Sequence, residues 1–199
     1  MCIAVFLWQA HPLYPLFLLR NRDEYPSRPT EPVAWWDNGE ILGGRDGLAG
    51  GTWLACSRSG KIAFVTNVAE VGKVPEPKSR GDLPVRFLEA VRLRTNFEKF
   101  LEKHGSGELP AEEMADKLMT DATKADKTML PGIYSVEFEH SLSSIFVEAN
   151  TDQGRYGTRS ISAVSVKTSG EVAFYEKYLE EESWIEHTAS YVMEQTGTG

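Results

Sequence analysis

Residues 1–24 read MCIAVFLWQAHPLYPLFLLRNRDE. An apolar opening of this length invites a signal-peptide or membrane reading. The first basic residue is Arg20, however, so no positive n-region precedes the run. His11, Pro12 and Pro15 interrupt it, and a continuous spanning helix is not expected. Two short buried strands about a turn fit better, residues 2–8 and then residues 16–20. Such a hairpin returns the charged run Arg20-Asn21-Arg22-Asp23-Glu24 to the neighbourhood of Cys2. That juxtaposition governs the fold class and the candidate chemistry together.

Outward from the hairpin, residues 41–67 begin with turn chemistry at Gly43, Gly44, Gly47, Gly50 and Gly51. A second hairpin follows, with residues 52–56 and 61–67 joined around Arg58-Ser59-Gly60. Residues 71–81 carry prolines, glycines and charges and read as an exposed loop. Asp82 is the expected N-cap of a long amphipathic helix with Val85, Leu88, Val91 and Leu101 among its apolar positions. Gly105 and Gly107 end that pattern, and Pro110 opens a second helix over residues 111–120. Strands return at residues 144–148 (SIFVE), 161–167 and 171–178, rich in Val, Ile, Phe and Tyr, with Ser169-Gly170 as a tight turn. The tail after Tyr191 should fray. Strands, then helices, then strands predict a single α+β domain over residues 1–199 with much antiparallel sheet.

The chain has 199 residues, a net charge of −8, 41% hydrophobic and 25% charged residues. These values argue against wholesale disorder. The acidic balance argues against a sequence-blind nucleic-acid binder, which needs a basic face for phosphates. Two cysteines, Cys2 and Cys56, make neither a disulfide framework nor a zinc site, and a reducing compartment is expected. His11, His104, His140 and His187 lack metal-ligand spacing, so no metal site is expected. The glycine-rich stretches match no phosphate loop, and glycine there more naturally permits tight turns and close backbone approach. Glu180-Glu181-Glu182 reads as a solvated face, and the five tryptophans as core.

Cys2 is the first candidate for chemistry. Removal of Met1 would leave a thiol and a free α-amine on one residue, and an amine of pKa about 7.7–8.0 serves as a base at neutral pH. The competing reading is a small apolar residue in a buried first strand. Arg20 and Asp23 sharpen the choice: an arginine beside the thiol favours its ionised form, and a carboxylate can hold the amine.

Several motifs recur in a familiar order: MCIAVFLW at the start, NRDE at Asn21–Glu24, RPT at Arg28–Thr30, GGRD at Gly43–Asp46, AGGTW at Ala49–Trp53, TN at Thr66-Asn67 and SRGDLP at Ser79–Pro84. On them the chain resembles the NRDE family, whose animal members are called Transport and Golgi organisation protein 2. SSIFVE, RYGTRS and GEVAFYEKYLE resemble its plant branch. That family in turn resembles N-terminal-nucleophile hydrolases of the choloylglycine hydrolase and penicillin V acylase type. The resemblance implies a four-layer αββα sandwich, with Cys2 on the nucleophile, Arg20 and Asp23 on its supporting pair, Asn67 on an oxyanion-side asparagine and Arg159 on a late arginine.

Relatives carry a further segment between the SRGDLPVRFLE and RLRTNFEKF stretches, with strands and a second Leu-Thr-Asn sequence. Here Glu89 runs directly into Ala90-Val91-Arg92, so some central strands are expected to be missing. The resemblance implies a role in Golgi organisation and protein secretion, exercised by binding or transferring haem, acyl-CoA or another lipid. The alternative is an N-terminal-cysteine amidohydrolase needing no cofactor; haem enters by resemblance only. The implied setting is cytoplasmic, with Golgi association or mitochondria as variants, a small-molecule, lipid or haem ligand, no nucleic acid and no transmembrane segment.

Overall fold

Residues 16–24 alternate in a way that serves two cores at once. Phe17 and Leu19 point to one side of their strand, Leu18, Arg20 and Arg22 to the other. The computed structural model describes residues 2–36, 39–66, 83–130, 135–151 and 154–194. Strand β2 (Leu16–Glu24) sits inside a large antiparallel sheet, flanked by β1 (Ile3–Trp8) and β8 (Gly154–Val166). Its row continues through β9 (Glu171–Glu180) to β10 (Ser183–Val192), and β7 (Glu148–Thr151) pairs with β8. A second antiparallel sheet runs in chain order through β3 (Thr30–Trp35), β4 (Ile41–Asp46), β5 (Leu54–Ser57) and β6 (Ile62–Phe64).

Each face of the large sheet has its own core. On one, Phe17, Leu19, Ile161 and Tyr175 meet Leu93, Phe97 and Phe100 of α1 (Leu83–His104) and Met114, Ala115 and Leu118 of α2 (Ala111–Leu118). On the other, Leu18, Val164 and Phe174 meet Val33, Leu42, Leu54 and Cys56 of the second sheet. Burying these apolar side chains supplies the main drive for folding. The described elements therefore stack as helices, sheet, sheet. The mixed α+β expectation holds, and the outer helical layer of an αββα sandwich is not among the described residues.

The expected hairpins are present, the second shortened to β5 and β6. The strand expected over residues 144–148 is corrected: Ile145 and Val147 are buried in an irregular segment, and pairing starts only at Glu148. Residues 183–192 form β10 and pair along the whole of β9, a strand the sequence reading did not include. Of the tail expected to fray after Tyr191, Val192 closes β10 and the Met193 and Glu194 N–H groups donate to Gly170 O and Arg58 O, while residues 195–199 lie outside the described residues. Strands β3 and β4 and the short helix α3 (Val136–Ser141) add to the expected elements. Asp82, the expected N-cap of α1, lies outside the described residues, and the helix runs unbroken across residues 89–90.

The second sheet does not cover the first completely. Strand β3 packs on β9 and β10, and Val65, just beyond β6, meets Arg20 of β2. Beyond that point, β1 overhangs. Its inter-sheet face carries Ala4, Phe6 and Trp8, and Phe6 and Trp8 are 59% and 60% exposed.

Candidate functional site

The pairing of Ile3 with Asn21 and Ala4 with Arg20 sets Cys2 at the end of β1, beside the charged end of β2. Cys2 is a free thiol, 8% exposed. Arg20 is 1% exposed on the inter-sheet face. Burial lowers its pKa, while Cys2, Asp23 and Glu176 oppose that shift through their charges. Its Nη2 donates to Val65 O at 2.5 Å, and Nε and Nη1 have no hydrogen-bond partner among the described residues.

Asp23 follows a register shift between Arg22 and Asp23 in the β2–β8 pairing, a bulge that re-aims its side chain. It is fully buried, and Thr158 Oγ1 donates to its Oδ1 at 2.7 Å. Thr158 Oγ1 in turn accepts the Val147 N–H at 2.9 Å. Burial raises the Asp23 pKa, and the Thr158 hydroxyl and the Arg20 charge pull it back. Thiol, guanidinium and carboxyl thus share one dry corner, where Coulombic effects are stronger than in water.

Of the five residues singled out in the sequence, three meet here: Cys2, Arg20 and Asp23. Asn67 lies outside the described residues. Arg159 faces a neighbouring cleft, where it donates through Nη1 to Tyr25 O (3.0 Å) and Arg28 O (2.9 Å) and through Nη2 to Leu179 O (3.2 Å). It ties the β2–β3 loop to the end of β9. The other thiol, Cys56, is buried in the sheet interface, and burial pushes it up to about 12, which makes it a poor nucleophile.

The remaining motif residues brace one another. Arg22 stacks over the Trp53 ring at 4.1 Å, donates to Thr30 Oγ1 at 3.2 Å and lies 3.6 Å from Asp46. Arg28 donates to Asp46 at 2.5 Å and, with the N–H groups of Leu48 and Ala49, holds that carboxyl down at about 2. A Cβ on Gly44 would lie 2.4 Å from the Trp53 ring, so glycine there lets the indole lie against β4. Asn21 Nδ2 donates to Met119 O (3.0 Å) and Ile145 O (2.7 Å), anchoring the helical layer to β2.

Sequence reading missed Glu176, a fully buried carboxyl whose Oε2 accepts the Val33 N–H at 2.7 Å. Val33 is available because the β3–β4 pairing is irregular between Glu31 and Ala34. Burial pushes Glu176 up to about 7, against the pull of Arg22 and Arg20. The signal was in the alternation Val172, Phe174, Glu176, which puts the glutamate on the core-facing side of its strand.

Haem is a poor fit to the described residues. His11 uses both ring nitrogens, with Gly105 O and the Leu13 N–H, and His104 Nδ1 sits against Phe100 O. No described histidine lines the Cys2 corner or the cleft beside it, and the described residues contain no cluster of three or more metal-ligating side chains.

A helix-backed pair of antiparallel sheets with a buried thiol, guanidinium and carboxyl at one corner defines the class of protein. The family profile for Transport and Golgi organisation 2 matches residues 1–92 and 89–181, and the chain belongs to that family. The two matched stretches meet at residues 89–92, the junction already conspicuous in the sequence. The chain is 41% identical over 96 residues to the Transport and Golgi organization 2 homolog of Mus musculus and to its Homo sapiens counterpart. Each alignment takes in 44% of this chain and 35% of the relative, so the chain spans about a third of the length of these curated relatives. An uncharacterized protein of Saccharomyces cerevisiae is 36% identical over 121 residues, 54% of this chain and 38% of that protein. Among the described residues no helix is long and apolar enough to cross a membrane.

Proposed function

We propose that this chain binds a small acyl-bearing molecule, such as a lipid or an acyl thioester, at the Cys2–Arg20–Asp23 corner, and serves the transport and Golgi organisation for which its relatives are named. The observation that carries this reading is the Arg20 guanidinium, sealed from water beside Cys2 with two nitrogens not engaged by any described residue. Buried polar groups favour a partner, and a carbonyl or carboxylate oxygen is the acceptor a guanidinium suits best. Cytoplasmic, Golgi-associated and mitochondrial settings are all compatible with it.

The second reading, an N-terminal-cysteine amidohydrolase, is favoured by the meeting of thiol, cation and carboxyl. In that chemistry the thiol adds to the amide carbonyl and its proton passes to the chain's α-amine. The departing amine takes that proton, and water then releases the acid. It requires Met1 to be removed.

Four measurements separate the readings. Intact mass of protein purified from cells reports whether Met1 is removed. Iodoacetamide should modify Cys2 ahead of Cys56. An acyl thioester titrated by calorimetry should bind at least tenfold more weakly to Arg20→Met, the loss expected from about 1.4 kcal/mol. N-acyl amides should show no Cys2-dependent turnover. Turnover abolished by Cys2→Ser would replace binding with hydrolysis. Unchanged affinity in Arg20→Met would sink the binding reading.

A further inference from the structure

Arg20, Ser162 and Glu176 stand in one cross-strand row over β2, β8 and β9, with Ala4 of β1 at its near end and His187 of β10 at its far end. Directly opposed residues in antiparallel strands share a face, so the row lies between the two sheets. Adjacent strands are about 4.8 Å apart, which puts the Arg20 and Glu176 backbones about 10 Å from one another. A long arginine side chain narrows that gap to Coulombic range. Arg20 feels the charges of both Cys2 and Glu176, and Arg22, two residues along the same face, also feels Cys2. Glu176 feels both arginines.

Two buried guanidiniums are therefore shared between a thiol on one side and a carboxyl on the other. We propose that Glu176 is a positioning residue for Cys2: it competes with the thiol for the Arg20 and Arg22 charges and so sets how fast Cys2 reacts. This rests on the reading of Cys2 as the reactive thiol.

The groups around Glu176 make its own charge adjustable. Arg20 and Arg22 face it from β2, Ser160 and Ser162 line β8, the Val33 N–H reaches it from β3, and His187 opposes it on β10. The Val33 N–H, the two arginines and Ser160 oppose the cost of burying its charge only in part, and the carboxyl is pushed up to about 7. When it ionises, the guanidiniums are partly neutralised and the thiol loses cationic support. When it is protonated, more of their charge acts on Cys2, with Asp23 beside Arg20 and Asp46 beside Arg22 as the remaining counter-charges.

Alkylation of Cys2 by iodoacetamide, followed by mass spectrometry from pH 5 to 9, tests this on the full chain. Glu176→Gln keeps an oxygen for the Val33 N–H and removes the charge. Its Cys2 should react about three- to tenfold faster at pH 7.5. The unsubstituted protein should show an added inflection near pH 7 that the variant lacks. A Glu176 that only joins the sheets would leave the rate profile of the variant unchanged, and that result would overturn the proposal. Should the variant fail to fold, a single-inflection profile in the unsubstituted protein overturns it equally. Cys56 reacting ahead of Cys2 would overturn the corner reading along with it, whereas a reactive Cys2 indifferent to Glu176 defeats the present inference alone.

Discussion

At the residue scale, the charged tetrad that ends β2 divides its labour by direction. Asn21 turns to the helical layer, Arg22 to the indole of Trp53, and Asp23, past the bulge, to Thr158. The strand period separates Asn21 from Arg20 and Arg22, but the bulge that re-aims Asp23 gives no sequence signal. Asp46 shows what such wiring does to stability. Its folded pKa of about 2 lies below the ordinary carboxyl value of 3.8. Its ionised form is thus favoured by folding, and the contribution is fully present above about pH 4 and lost as pH falls toward 2. Asp46→Asn should lower stability by about 1–2 kcal/mol at pH 7, mostly through its bond to Arg28 and its two backbone caps. Chemical denaturation at several pH values should show the two proteins converging as the solution is acidified.

Between elements, the sequence was clearest where apolar residues were dense. Strands β1, β2, β8 and β9 were legible from their Val, Leu, Phe and Ile content, and Gly105 marked the end of α1. Strand β4 was not, because ILGGRD has two glycines in its centre and reads as a turn. Strand β3 holds Pro32, and β10 is a half-exposed edge with Glu186 and His187 in its middle. SIFVE shows the opposite error: a buried apolar run lacks the pairing that makes a strand. The glycines of β4 test the role given to close approach. Gly44→Ala would drive a methyl group into the Trp53 ring and should cost about 1–3 kcal/mol. Because the indole must shift, tryptophan fluorescence should change alongside the melting temperature. A loss of stability with an unchanged emission spectrum would point to backbone strain instead of the indole.

Across the whole molecule, the mismatch between a five-strand row and a four-strand cover leaves apolar surface where β1 overhangs. Phe64, on the inward side of edge strand β6, is 41% exposed as well. Exposed edges and apolar faces invite self-association. The chain should therefore form larger species as its concentration rises, and Phe6→Ser with Trp8→Ser should suppress them without lowering the melting temperature. Sedimentation velocity over a tenfold concentration range measures this; a strictly monomeric parent chain would show that the overhang is shielded. The placement of β2 carries a different consequence. Its second partner, β8, begins at Gly154, so β2 gains that neighbour only after more than 120 residues of intervening chain. Closing so large a loop must precede the reward for pairing, which makes such topologies slow to fold. During synthesis, the Cys2 hairpin would emerge long before β8 and wait with one edge open. At about 5–20 residues per second, that wait lasts on the order of ten seconds, a window in which a chaperone has an apolar strand to hold.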